Sequence, residues 1–119
     1  MIKLTIPGNP LSVNHLYGQH GKHRFLYAAG KKYKDLVASI AKPYFKEPIQ
    51  GDVSLEIIYY FPDKRRRDVT NYDKSPIDAL SGIAFNDDCQ VQTCMLRKFI
   101  DKDNPHTEII ICNLNEMLV

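Results

Sequence analysis

The stretch "VSLEIIYYFP", residues 53–62, constrains the fold more than any other part of the chain. Val53, Leu55, Ile57, Tyr59 and Phe61 recur at every second position, so an extended backbone projects all five from one face. This is the strongest strand in the sequence. Pro62 ends it, because proline has no N–H to give to a central ladder.

The period changes upstream. Tyr33, Leu36, Val37, Ile40, Ala41 and Tyr44 follow the i, i+3, i+4, i+7 rule, while Lys31, Lys32, Lys34 and Asp35 fall largely on the other side. This spacing predicts a helix over Ala29–Phe45. "MIKLTIPG" alternates Ile2, Leu4 and Ile6 and reads as a strand closed by Pro7-Gly8. "NPLSVNHLYGQHGKH" reads as a long polar loop of functional character, and "RFLY" as a short strand. A second helix is expected over roughly Asn71 to Ser81. "VQTCMLRKFI" (91–100) and "HTEIIICNL" (106–114) look like an antiparallel hairpin joined by "DKDNP". The order β, loop, α, β, α, β, β implies an α+β fold: a mixed sheet with two main helices, forming a single domain over 1–119.

The second helix has two candidate starts. Thr70 with Asp73 fits a capping box, but Pro76 would then fall inside the helix. Ser75 as N-cap with Pro76 at the first helical position is the rival. The expectation is either a turn followed by the helix or one helix kinked near Tyr72.

Composition narrows the class. At 119 residues, with 44% hydrophobic and 25% charged, the chain has the make-up of a soluble globular domain. The net charge of +2 is too small to mark a nucleic-acid binder by itself. The densest basic run is Lys64 to Asp68, "KRRRD". Cys89, Cys94 and Cys112 lack CxxC spacing, which argues against structural zinc. The odd cysteine count and the lack of a secretion signal fit a reducing, cytoplasmic setting. No apolar run approaches the roughly 18 residues that a membrane span needs, so no membrane partner is expected.

The chemistry concentrates in "RRRDVTNYDK" and in the residues from there to the next strand. Asp68, Asp73 and Asp78 surround the second helix, and Asp87-Asp88 precede that strand. Two or three carboxylates can hold Mg²⁺, which neutralises charge on a phosphate and activates water. Lys74 is placed to support that chemistry, and on a helix beginning near Thr70 it shares a face with Asn71 and Asp78. Arg65, Arg66 and Arg67 could engage a phosphate backbone. The same residues also read as a solvated surface: Lys74 and Asp78 as an ion pair worth ~0.3–0.5 kcal/mol, and Asn86-Asp87-Asp88 as turn chemistry. On spacing alone the surface reading comes first.

Taken together, "PDKRRRDVTNYDKSPIDALSGIAFNDDCQV" resembles the RusA family of Holliday junction resolvases. The family pattern is an arginine-rich stretch, aspartate-x-aspartate-asparagine, a lysine three residues on, an "xxDAL" helix and a closing "DDxQ". Here it is carried by Arg65 to Asp68, Asn71, Lys74, Asp78-Ala79-Leu80 and Asp87 to Gln90. The opening "IPGNPLSVNHLY" is similar to the family's first strand and loop, whose P-x-S-x-N element ends here at Asn14.

The resemblance implies a homodimer that binds branched DNA, the four-way junction, and nicks two strands symmetrically in recombination and repair. The implied cofactor is Mg²⁺, with Mn²⁺ as a substitute. It further implies Asp68, Lys74 and Asp88 as catalytic residues, Asp68, Asp88, Asp73 and Asp87 as metal ligands, and Arg65, Arg66, Arg67, Asn71 and Asn14 as DNA contacts. One position departs: the family's second aspartate is Thr70 here. Either Asp73 fills that role, or catalysis is weakened and the chain is a junction-binding protein.

Overall fold

The computed structural model describes residues 1–12, 17–20 and 23–117. At its centre is β4 (Val53–Phe61), whose burial alternates as the sequence requires. Val53, Leu55, Ile57, Tyr59 and Phe61 are buried, while Ser54, Glu56, Ile58 and Tyr60 are half-buried on the other face. Strands β1 (Ile2–Pro7), β5 (Val91–Ile100) and β6 (His106–Asn113) join it in the order β1-β6-β4-β5. β6 runs antiparallel to β1 and β4, and β5 runs parallel to β4, so the sheet is mixed.

The expected hairpin between the last two strands does not form, because β4 lies between them. Burial explains the order. β6 sets Thr107, Ile109 and Ile111 opposite Tyr59, Ile57 and Leu55, and all six are buried. β5 is exposed along most of its length and takes the edge. The connection passes the end of β4, where the Asp101 N–H donates to the Phe61 carbonyl at 2.8 Å.

In a separate antiparallel pair, β2 (Tyr17–His20) falls in the stretch read as loop, while β3 (His23–Leu26) covers most of the short strand expected at "RFLY". Gly18, Gln19 and His20 carry no apolar alternation that would reveal a strand.

Helix α1 (Ala28–Ala41) stops short of the expected Phe45 and passes into a 3₁₀ turn, Lys42–Tyr44. Pro43 is the cause: it has no N–H for the next helical bond, and its ring crowds the carbonyl four residues back. Tyr44 is consequently exposed instead of completing the apolar face.

Helix α2 (Lys74–Leu80) follows a 3₁₀ turn at Val69–Asn71, the first of the two expected arrangements. Neither proposed cap forms. Asp73 takes the N-cap position without a side-chain bond, and Pro76 falls at the third helical residue, where its missing N–H has no intrahelical partner to lose. Ser75 is buried and donates its hydroxyl to the Leu11 carbonyl at 2.7 Å, tying the N-terminal segment to the helix.

Val37 and Ala41 of α1 and Ala79 and Leu80 of α2 close the core over Leu4, Ile6 and the buried face of β4 and β6. Each large aliphatic side chain removed from water there contributes about 1.5–3 kcal/mol. A short helix, α3 (Leu114–Met117), ends the described chain. Among the described residues no helix is long and apolar enough to cross a membrane.

Candidate active site

The segment leaving β4 is pinned before it reaches its first aspartate. Arg67 sends Nη1 to Asp63 Oδ1 at 2.8 Å and donates to the carbonyls of Asp63 at 3.1 Å and Arg65 at 3.3 Å. Its guanidinium also lies 4.6 Å from the centre of the Phe61 ring, a cation–π contact. The hydrogen bond from Arg67, and then that from the Arg65 N–H, hold the Asp63 carboxyl below the usual range. Lys98 of β5 adds a bond from Nζ to the Arg67 carbonyl at 2.7 Å. Arg65 and Arg66 remain exposed.

Asp68 then opens the 3₁₀ turn, accepting the Asn71 N–H on its carbonyl at 3.0 Å. Val69 and Tyr72, three apart, turn inward, and the Tyr72 ring meets Tyr59 at 5.8 Å and Phe61 edge-on at 5.0 Å. The residues between them face out, so Asp68, Thr70 and Asn71 are all exposed. Asp73 is half-buried, and its charge helps to raise the Tyr59 hydroxyl, which burial has already pushed up, and the Cys94 thiol, for which burial is again the larger cause.

A second group forms where α2 passes the head of β5. Lys74 and Asp78, one helical turn apart, are paired at 3.4 Å. Asp87 and Asp88 sit in a 3₁₀ turn, Asp88–Gln90, closed by a capping box. Asp87 Oδ1 accepts the Cys89 N–H at 3.1 Å, and Gln90 Oε1 accepts the N–H groups of Asn86 at 2.7 Å and Asp87 at 3.0 Å. Gln90 Nε2 in turn donates to the carbonyls of Ile49 at 2.7 Å and Gly51 at 2.9 Å. One side chain thereby fastens the acidic turn to the strand entering β4.

The Asp87 and Asp88 carboxyls are hydrogen-bonded to each other, which raises Asp88 and lowers Asp87. Each carboxylate thus bears on the ionisation of the other. The Asp87 charge adds to the rise of Asp88, as does Asp78, while Lys74 opposes it. Three carboxylates and one ammonium therefore act on one another at the head of β5.

Comparison with known proteins shows which family carries this sequence. The Endodeoxyribonuclease RusA family matches residues 7–112. The "crossover junction endodeoxyribonuclease" RusA proteins of Enterobacteria phage 82 and of Escherichia coli K12 are each 36% identical over 91 residues, covering 74% of either chain. An uncharacterized Bacillus subtilis protein, YqaN, is 30% identical across 92% of this chain and 94% of its own. The chain belongs to the RusA family.

The "DDxQ" ending of the RusA motif and the Lys74 and Asp78 of its helix act on one another, while Asp68 stands at the 3₁₀ turn and the Asp73 charge acts on Tyr59 and Cys94. Among the described residues no three His, Cys, Asp or Glu side chains gather into a ready metal cage. An all-oxygen pair whose two carboxylates act against each other's ionisation nonetheless fits a hard divalent ion, because Mg²⁺ keeps several waters and takes only one or two carboxylates beside a phosphate. The shared helix face expected for Asn71, Lys74 and Asp78 holds for the last two only, as Asn71 precedes the helix. Arg67, read as a phosphate contact, is committed to Asp63 and Phe61. Asn14 lies outside the described residues.

Sequence reasoning counted Asp78 among the carboxylates and paired it with Lys74, but assigned neither it nor Gln90 a place in the site. For Gln90 the available signal was the capping-box spacing from Asp87.

Proposed function

We propose that this chain is a Mg²⁺-dependent endonuclease that cuts four-way DNA junctions by paired nicks, acting as a homodimer in recombination and repair. The observation that carries the reading is the Asp87–Asp88 pair beside Lys74–Asp78, an excess of negative charge held in place at the head of an exposed strand. Membership of a family whose relatives are named crossover junction endodeoxyribonucleases supplies the substrate.

Asp87 and Asp88 would hold the ion, which Mn²⁺ could replace. A bound Mg²⁺ supplies charge neutralisation at phosphate and a more acidic water. Lys74, oriented by Asp78, stabilises negative charge growing on the phosphate oxygens. Gln90 keeps the two carboxylates in register. Asp68 contributes a third, exposed carboxylate from the 3₁₀ turn, and Arg65 and Arg66 supply salt-sensitive phosphate contacts on its approach. Two symmetric nicks call for two copies of the site, which a twofold dimer provides.

A second reading rests on Thr70, which stands where the family has an aspartate, and on Asp73, whose charge acts on Tyr59 and Cys94. In that reading the chain binds junctions without cutting them. Incubation of a labelled four-way junction and a matched duplex with Mg²⁺ separates the two. Paired nicks in the junction alone, lost in Asp88→Asn, support the endonuclease. Tight junction binding without nicks, equal in both proteins, supports the binder.

A further inference from the structure

Helices α1 and α2 close one face of the four-stranded sheet, and the opposite face is open among the described residues. The strand register lays that open face out in rows. Pro7, His106, Tyr60 and Phe99 form one end, and Cys112, Ser54 and Thr93 form the other. The Tyr60 ring stacks on His106 at 4.2 Å and on Phe99 at 5.7 Å, so the first end is a tall row of rings. The second end is low. Its side chains are small, and beside them opens a hollow of about 330 Å³, rimmed on this face by Ser54, Glu56, Thr93 and Met95. Between the ends, Ile58 and Ile110 lie among charges that satisfy one another, Lys3 with Glu108 at 3.3 Å and Arg97 with Glu56 at 3.6 Å.

This face is too apolar to be left to water. Met95 and Phe99 are 52% and 50% exposed, and Ile58 and Tyr60 are only half-buried although β4 is an interior strand. Its charges argue against a phosphate backbone, which calls for a surplus of cations where here two cations meet two carboxylates. Its size suits a protein. Four strands about 4.8 Å apart and about 26 Å long give roughly 500 Å² in plan, and more with side chains standing on them. A standard interface takes roughly 800 Å² from each partner. Its shape suits a copy of itself, because a twofold axis crossing the strands sets the tall end of each sheet over the low end of the other.

We infer that a second copy of this chain closes the open face, with the Phe99 of one subunit seated against the partner's Thr93. The inference deepens the homodimer proposed above and rests on that reading for the twofold symmetry.

Sedimentation equilibrium of the full chain tests it, with cleavage of a labelled four-way junction followed in parallel. The wild type should be a dimer whose affinity changes little between about 0.1 and about 1 M salt, because its ion pairs lie within each subunit. Phe99→Glu and Thr93→Arg each press a charge against an uncharged surface at two symmetric places, and each should weaken the dimer at least about a hundredfold. Combining them sets the new carboxylate of one subunit against the new guanidinium of its partner and should recover most of the loss. Within one subunit the two positions stand about 20 Å apart along β5, too far to pair. Tyr44→Glu, similarly exposed in the turn after α1, should leave the dimer intact.

A dimer that persists in both single variants, or a loss that the combination does not repair in folded protein, would overturn the inference. Paired nicking by the wild type would in that case leave the junction reading standing. A monomeric wild type would overturn the interface and the homodimer together, and if Phe99→Glu then also weakened binding to single-stranded oligo(dT), the face would belong to DNA. Repair as expected without junction cleavage keeps the interface and removes the resolvase reading.

Discussion

Replacing Gln90 with alanine isolates what holds the acidic turn. The side chain makes four hydrogen bonds, two to the carbonyls of Ile49 and Gly51 at 2.7 and 2.9 Å and two from the N–H groups of Asn86 and Asp87 at 2.7 and 3.0 Å. The N–H pair is exposed, so water takes over when the side chain is removed. The carbonyl pair is partly buried and loses about 0.5–1.5 kcal/mol per bond, or about 2 kcal/mol in all. For a chain of this size that lowers the melting temperature by roughly 8 °C. Gln90→Glu should be at least as damaging, since it places a carboxylate against two carbonyls and has no donor for them. Urea titration followed by far-ultraviolet circular dichroism reads the loss as a shift in midpoint at constant slope. A loss below about 0.5 kcal/mol would mean that water serves all four positions, and would refute this account of the turn.

The same geometry sets three further outcomes. The contact with the Asp87 carboxyl, then the Asp87 and Asp78 charges, raise Asp88 above the ordinary aspartate range, so protons compete with a cation there. Mg²⁺ affinity should therefore rise with pH through and above the ordinary aspartate range and level once both carboxyls are ionised; a flat profile in a Mg²⁺-dependent thermal-shift series would contradict the pairing. Tyr59→Phe removes a buried hydroxyl that has no hydrogen-bond partner among the described residues, so chemical denaturation should show no loss, or a gain of up to about 1 kcal/mol. A loss larger than that would show that the hydroxyl is paired in solution. Ser75→Ala breaks the bond to the Leu11 carbonyl and should cost about 1–2 kcal/mol by the same measurement, with a cost near zero contradicting the tie between the N-terminal segment and α2.

How much of the molecule was legible in its sequence depended on whether the signal was local. The alternation of β4 fixed its buried face residue by residue, since period and burial are the same geometric fact. Pro43 was equally local, yet the apolar period running on to Tyr44 concealed that proline would cut the helix first. The order of β5 and β6 was not legible. Their short, turn-rich connection has the form of a hairpin, and only competition for the two edges of β4 separates them. The site divides in the same way. Lys74 with Asp78 is a spacing, while the influence of Asp78 on Asp88 depends on helix and sheet meeting. Gln90 finds its two acceptors 39 and 41 residues away, beyond the reach of any motif. Arg67, read from its basic run as a DNA contact, also pairs with Asp63 and lies over Phe61, partners that the run itself did not reveal.

The central claim is that the functional cation site lies at the Asp87–Asp88 pair at the head of β5. Calorimetric titration of Mg²⁺ into the wild type, Asp88→Asn and Asp73→Asn addresses it directly. The account predicts binding to the wild type, its loss in Asp88→Asn and its retention in Asp73→Asn, since the Asp73 charge acts on Tyr59 and Cys94 and is absent from the causes acting on Asp88. Undiminished binding to Asp88→Asn, or loss in Asp73→Asn alone, would place the ion elsewhere and contradict the account.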